Sequence, residues 1–269
     1  METAAAPQKH ATPMRTVVLA SSTGTAFEWY DFFVYGAVAP VIARNFFSQL
    51  DETAGLIASL ALFATGFLFR PLGALIFGWL GDRFGRKGAF LATVVIMGGA
   101  TFSIGLLPTY AQAGPLGTVL LIIVRILQGL ALGGEYGGAA IYVAEHATPE
   151  RRGLSTGWIQ SSAAFGLLGA QGIVLVTRMN LGEETFIAWG WRIPFLLSLG
   201  LLAVSIWMRS QLKESPEFER ARVEKRLSAA PFSDVFLKWS NLKIVLIALF
   251  SITGAQGAMP QQGSAAGGG

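Results

Sequence analysis

With 269 residues, 52% of them apolar and only 13% charged, the chain is too hydrophobic for an ordinary water-soluble domain. Its net charge of +4 comes from basic residues dispersed between apolar runs rather than gathered on one solvated face, which argues against nucleic-acid binding. There is no cysteine, and His10 and His146 stand far apart, so disulfides, thiol chemistry and a cysteine or histidine metal centre are excluded and no cofactor is expected. The composition is that of a polytopic, all-α membrane protein.

Met1–Thr16 is small, polar and weakly basic and reads as a cytoplasmic tail. Val17–Ala43 is the first span, retained rather than cleaved, because Glu28 and Asp31 interrupt the apolar core that a signal peptide would need. Ala54–Leu80 and Ala89–Tyr110 follow, each long enough for a hydrocarbon core about 30 Å thick. Few residues lie between them, so the two helices are adjacent and antiparallel. After a turn at Ala111–Pro115 the fourth span is Leu116–Val143. The Ala144–Gly153 connector carries Thr148, Pro149 and Glu150, an N-cap, a first-turn proline and an acid suited to a helix start. Leu154–Val176 is the fifth span and Arg178–Ala188 a polar turn. Trp189 and Trp191 are expected at the membrane interface, and Ile193–Met208 is the sixth span.

Residues 209–241 differ in kind. Glu217 and Glu219 lie near the start and Arg222, Lys225 and Arg226 near the end of a charged stretch opened by Ser215 and Pro216, the order that offsets a helix dipole. An amphipathic cytoplasmic helix is expected there. Leu242–Ala258 begins a seventh span, and 259–269 turns to Gly, Ala, Gln and Ser, which does not continue a membrane helix. Lys9, Arg15, Arg83, Arg86, Lys87, Arg151, Arg152 and the basic residues from Arg209 onward fall on one side, against Arg44, Arg178 and Arg192 on the other. The positive-inside rule puts the N-terminus in the cytoplasm.

Glu28, Asp31, Arg70, Arg125 and Glu135 lie inside spans, where an ionised centre costs about 2.5–3.5 kcal/mol even on the lenient insertion scale. Glu28 and Asp31 share a helix face and are expected to look toward one interior cavity. Two roles fit them: proton coupling or substrate contact, and bracing of the bundle through Arg70 or Arg125. Arg125, roughly 13 Å into its span, suits a carboxylate of the substrate or of the first span. Arg70 precedes Pro71 and serves either the kinked backbone or the substrate. Tyr30, Gln128 and Glu135 complete the candidate cavity residues. Residues 133–138 form a glycine-rich run without the Gly-Lys-Ser/Thr ending of a phosphate loop, so helix packing is the expected role of its glycines. The connectors hold no nucleophile–base pair, which argues against an enzyme.

Between the second and third spans, the stretch Gly78-Trp79-Leu80-Gly81-Asp82-Arg83-Phe84-Gly85-Arg86-Lys87-Gly88 resembles the loop motif of the major facilitator superfamily. Its glycines suit a tight turn, and Asp82 can accept from freed amides or from Arg83, Arg86 and Lys87. Further segments are similar to the metabolite:proton symporter branch of that superfamily: Phe27-Glu28-Trp29-Tyr30-Asp31-Phe32, Arg70-Pro71-Leu72-Gly73, Arg125-Ile126-Leu127-Gln128-Gly129 and Trp189-Gly190-Trp191-Arg192-Ile193-Pro194-Phe195. The resemblance implies an inner-membrane symporter that moves organic acids, amino acids or betaines with protons, its Asp82, Arg83, Arg86 and Lys87 gating the cytoplasmic side. It also implies twelve spans in two halves. Six spans and a partial seventh correspond to the N-terminal half, as from a truncated gene. Full function is then expected to need the missing half, and a non-transporting fragment or an uncoupled facilitator are the alternatives.

Overall fold

The computed structural model describes residues 14–148, 151–211, 214, 216–224, 239–243 and 247. The chain divides into two units, Met1–Arg226 and Leu227–Gly269. In the second, 239–243 and 247 are helical, and the rest of the expected seventh span and tail lies outside the described residues. Every element below belongs to the first unit.

That unit is a bundle of α1 (Met14–Phe46), α2 (Glu52–Phe84), α3 (Arg86–Leu106), α4 (Tyr110–Ala113), α5 (Pro115–His146), α6 (Arg152–Leu181), α7 (Glu183–Thr185), a π-helical turn (Phe186–Gly190), α8 (Arg192–Ser210) and α9 (Pro216–Val223). No strand occurs among the described residues. The helices pack mainly as α2 on α5, α1 on α6 and α3 on α8, with α1 also touching α2, α5 and α8.

Among the described residues five helices, α2, α3, α5, α6 and α8, are long and apolar enough to cross a membrane. Among the described residues α1 is not one of them, although it is 33 residues long. Glu28, Asp31 and a run of Ser, Thr and Gly lower its hydropathy, and its central position explains why it tolerates them. Val17, Val34, Val38, Ile42 and Phe46 on α1 are fully buried, together with Ser21 and Thr25. Large apolar side chains instead point outward from the peripheral helices, among them Leu68, Leu154, Phe165, Leu168 and Met179. Polar groups inside and apolar groups outside is the partition that a hydrocarbon solvent selects.

Several boundaries differ from expectation. The predicted loop over 78–88 is almost all helix: α2 runs through Phe84, α3 begins at Arg86, and only Gly85 separates them. Its φ of 111° is open to glycine and strained for other residues, and its N–H still closes on the Gly81 carbonyl at 3.1 Å. Gly78 and Gly88 face open space, so neither is needed for a close approach. The polar turn expected at 178–188 is instead the last turn of α6, the short α7 and the π-helical turn. Trp191 is fully buried beside Phe46 and Phe195 rather than at an interface, while Trp189 is half exposed. Thr109 and Gln112 cap α4 reciprocally at the turn before α5. Pro149 and Glu150, the expected helix start, lie outside the described residues, whereas Pro216 does open α9 as its dipole pattern predicts.

Candidate functional site

The buried polar groups are brought together by one close helix–helix contact. A Cβ on Gly129 of α5 would lie 2.5 Å from the Gly66 carbonyl of α2, and one on Gly133 would run into the Arg70 carbonyl. Only glycine permits the two backbones to approach so closely, as small residues do in membrane helices generally. This brings Arg70 and Arg125 to the face of α1 that carries Gly24, Glu28, Asp31 and Tyr35 at helical spacing.

Asp31 sits at the centre with 1% exposure. Its Oδ1 accepts a 2.8 Å hydrogen bond from Gln128 Nε2, which also donates to Thr101 Oγ1 at 3.0 Å. Gln128 Oε1 accepts from Arg125 Nη1 at 2.7 Å, while that same Nη1 stays 3.7 Å from Asp31 Oδ2. The amide therefore bridges two charges that do not hydrogen-bond directly. Arg125 is buried with its guanidinium 4.0 Å from the centroid of the Tyr35 ring, a cation–π contact, and its Nε has no hydrogen-bond partner among the described residues. Tyr35 is itself anchored by donating to the Ser59 carbonyl at 3.3 Å.

Glu28 turns to a different arginine. Its Oε1 lies 3.6 Å from Arg70 Nη2, and neither Glu28 Oε2 nor Arg70 Nε has a hydrogen-bond partner among the described residues. Arg70 is partly exposed and rests 4.5 Å over the Phe67 ring. The two acids of α1 thus share a helix face but part to separate cations.

Glu135 is tied far more tightly. Arg209 grips it with two parallel bonds, Nη1 to Oε2 at 3.0 Å and Nη2 to Oε1, and Thr93 Oγ1 donates to Oε2 at 2.9 Å. Arg209 Nη1 also donates to the Phe90 carbonyl at 2.9 Å, and the guanidinium lies 3.6 Å over the Phe90 ring. Both members of this pair are fully buried. Sequence reasoning placed Arg209 in the cytoplasmic connector; α8 runs on to Ser210 and carries it inside. Its helical distance from Ser205 and Leu202, also buried, is the signal that could have shown this. Tyr30, taken as a cavity residue, donates to the Pro194 carbonyl at 2.7 Å and so joins α1 to α8.

At the α2–α3 turn Asp82 Oδ1 lies 3.4 Å from Arg86 Nη2 one helical turn on, and Arg83 reaches back over Trp79 and Phe84. Gly81 is buried, with its ideal Cβ 3.6 Å from Ala89. The first turn of α3 has a partner that the sequence did not disclose. Glu214 Oε1 accepts from the backbone N–H of Arg86 at 2.8 Å and of Lys87 at 3.1 Å, capping the helix with a carboxylate. Lys87 Nζ donates in turn to the Ser210 carbonyl at 3.1 Å. No group of three or more His, Cys, Asp or Glu side chains able to hold a metal occurs among the described residues.

A helical bundle with an apolar exterior, a polar ion-paired interior and glycine-mediated contacts defines a multi-pass membrane protein. The family described as "Sugar (and other) transporter" matches residues 16–235, and the chain belongs to that family, within the major facilitator superfamily. It is 42% identical over 207 residues to the proline/betaine transporter of Salmonella typhimurium, covering 77% of this chain and 41% of that protein. It is 40% identical over 241 residues to the shikimate transporter of Escherichia coli, covering 87% and 54%. In fold it is similar to the partially occluded, inward-open xylose transporter XylE of E. coli, with a TM-score of 0.69 at 18% identity over 91% of this chain and 61% of that one. The chain spans about half the length of the curated relatives it matches. These relatives are transporters, and the chain is not an enzyme.

Proposed function

We propose that this bundle is the N-terminal half of a proton-coupled carrier of a small organic metabolite, in which Asp31 takes the proton and Arg125 and Gln128 hold its charged form. The observation that carries the reading is the bridged geometry of the three. Asp31 and Arg125 are buried within 3.7 Å of each other, yet the guanidinium spends its hydrogen bond on Gln128. A carboxylate so held can accept a proton without dismantling a direct two-pronged pair. Neutralising Asp31 leaves Arg125 with unmatched charge, which a carboxylate on the substrate would satisfy. Loss of the proton reverses the exchange, so proton and anion travel together. Glu28 with Arg70 supplies a second, looser pair of the same kind.

Proline, betaine and shikimate, for which the relatives are named, all carry a carboxylate, which supports an organic acid, amino acid or betaine as the substrate class. The reading places the protein in the inner membrane with its N-terminus cytoplasmic, 17–208 as the spanning bundle, and Asp82, Arg83, Arg86 and Lys87 at a cytoplasmic gate. Because the chain spans 41% and 54% of those two relatives, the cycle is proposed for this bundle together with a second half.

Proteoliposomes with an imposed proton gradient test this, using labelled proline, glycine betaine and shikimate, with the chain alone and extended by a second six-helix half. Gradient-driven accumulation is expected only for the extended form and is abolished by Asp31→Asn with membrane level retained. Glu28→Gln does the same where the two acids share the proton. Accumulation that survives both substitutions overturns the coupling. Equal accumulation by the chain alone overturns the need for a second half.

A further inference from the structure

The three interior ion pairs described above differ in how fully they are satisfied, and the tightest sits nearest the α2–α3 turn. Arg209 is fully buried, yet only Ser210 separates it from the end of α8. Within six residues the chain makes three successive attachments to the start of α3: Arg209 to the Phe90 carbonyl, the Ser210 carbonyl to Lys87 Nζ, and Glu214 to the backbone N–H of Arg86 and Lys87. From the other side α1 presses on the same point. A Cβ on Gly24 would overlap the Arg209 guanidinium and lie 2.6 Å from Glu135 Oε1.

We infer that Glu135 and Arg209 are positioning residues for the cytoplasmic turn, the buried charge of Glu135 holding Arg209 and Ser210 in place so that Glu214 caps α3. The physical reason is the position of Arg209. An arginine without its carboxylate is strongly destabilising in a buried site, and one that lies a single residue from a helix end has an escape by extending its head to the interface. That escape draws Ser210 and Glu214 off the first turn of α3. With Glu135 charged, no such force exists. The device therefore links the packing of α1 and the charge on α5 to the capping of α3.

Hydrogen exchange of the backbone amides of Arg86 and Lys87 tests this on the 269-residue chain in lipid nanodiscs. Glu135→Gln is expected to speed their exchange at least tenfold, although Glu214 is intact. Adding Arg209→Gln removes the charge that seeks water and is expected to return exchange to within about threefold of the parent. A pair that merely braced the bundle would make the double variant as fast as the single one or faster, and that result overturns the inference. So does unchanged exchange in Glu135→Gln. Should Glu135→Gln fail to reach the membrane, Glu135→Asp keeps the charge but shortens its reach, and an intermediate acceleration is expected. Unchanged exchange in that variant overturns the inference, as does loss of the double variant from the membrane.

Discussion

Replacing Gln128 by Leu probes the bridge on which the proposed coupling rests. The substitution nearly preserves volume and removes three hydrogen bonds, at 2.7 Å from Arg125, 2.8 Å to Asp31 and 3.0 Å to Thr101. Two of the three involve a charged partner, for which about 1.5–3 kcal/mol each is typical in water, and the third is worth about 1 kcal/mol. Interhelical bonds in membranes average nearer 0.6 kcal/mol, because the unfolded chain in the bilayer also finds partners. Gln128 is 1% exposed and its three partners are buried, so no water replaces what is lost. The membrane average gives about 2 kcal/mol for the three bonds and the low end of the aqueous ranges about 4 kcal/mol, so the expected loss lies between them, roughly a 30- to 900-fold change in the folded-to-unfolded ratio. Thr101→Val spares both charged bonds, removing the neutral bond from Gln128 and the hydroxyl's 2.9 Å bond to the Met97 carbonyl of its own helix, and should cost about 1 kcal/mol. Reversible unfolding of the purified chain in mixed micelles, followed by tryptophan fluorescence, measures both. A Gln128→Leu loss no larger than that of Thr101→Val would refute the bridge as an energetic unit.

Gly129→Val forces a branched side chain against the Gly66 backbone and should cost about 3 kcal/mol or more, seen as loss of folded protein from the membrane fraction. Tyr30→Phe deletes the 2.7 Å bond to the Pro194 carbonyl and should cost about 1 kcal/mol in the same unfolding assay, with no effect on proton coupling. Glu214→Gln weakens the cap on α3, so the Arg86 and Lys87 amides should exchange faster while those of α5 keep their rates. The chain has no cysteine, so Arg86→Cys gives a single reporter; an impermeant thiol reagent should label it only from the cytoplasmic side, and labelling of intact cells would reverse the orientation.

Much of the bundle was legible because hydrocarbon as a solvent leaves a simple mark, long apolar runs broken by short charged connectors. The buried acids and arginines of α1, α2 and α5 were legible for the same reason, since a charge inside such a run stands out against its neighbours. Which acid takes which arginine was not, because pairing depends on the rotation of each helix about its axis. Glu28 and Asp31 share a face and still part to Arg70 and Arg125. Arg209 was missed because a charge at the edge of an apolar run looks like the start of a loop, and only the path of α8 reveals its burial. Glu214 is further removed still. Its role depends on a contact 128 residues away in sequence, for which no local pattern exists. Trp191 misled because aromatic residues beside a span usually mark an interface, whereas here the π-helical turn rotates the indole inward.

The helices of membrane-spanning length fall into two groups. At about 1.5 Å per residue, α1, α2, α5 and α6, with 33, 33, 32 and 30 residues, reach about 45–50 Å. With 21 and 19 residues, α3 and α8 reach only about 30 Å, and they pack on each other. The long helices exceed the hydrocarbon thickness and meet a thicker or thinner bilayer by tilting or by trading exposed turns at their ends. The short pair has no such reserve. A change of a few ångströms in membrane thickness therefore falls first on α3 and α8, the elements joined by Arg209, Lys87 and Glu214, so lipid chain length is a variable to which the α2–α3 turn should respond before the rest of the bundle does.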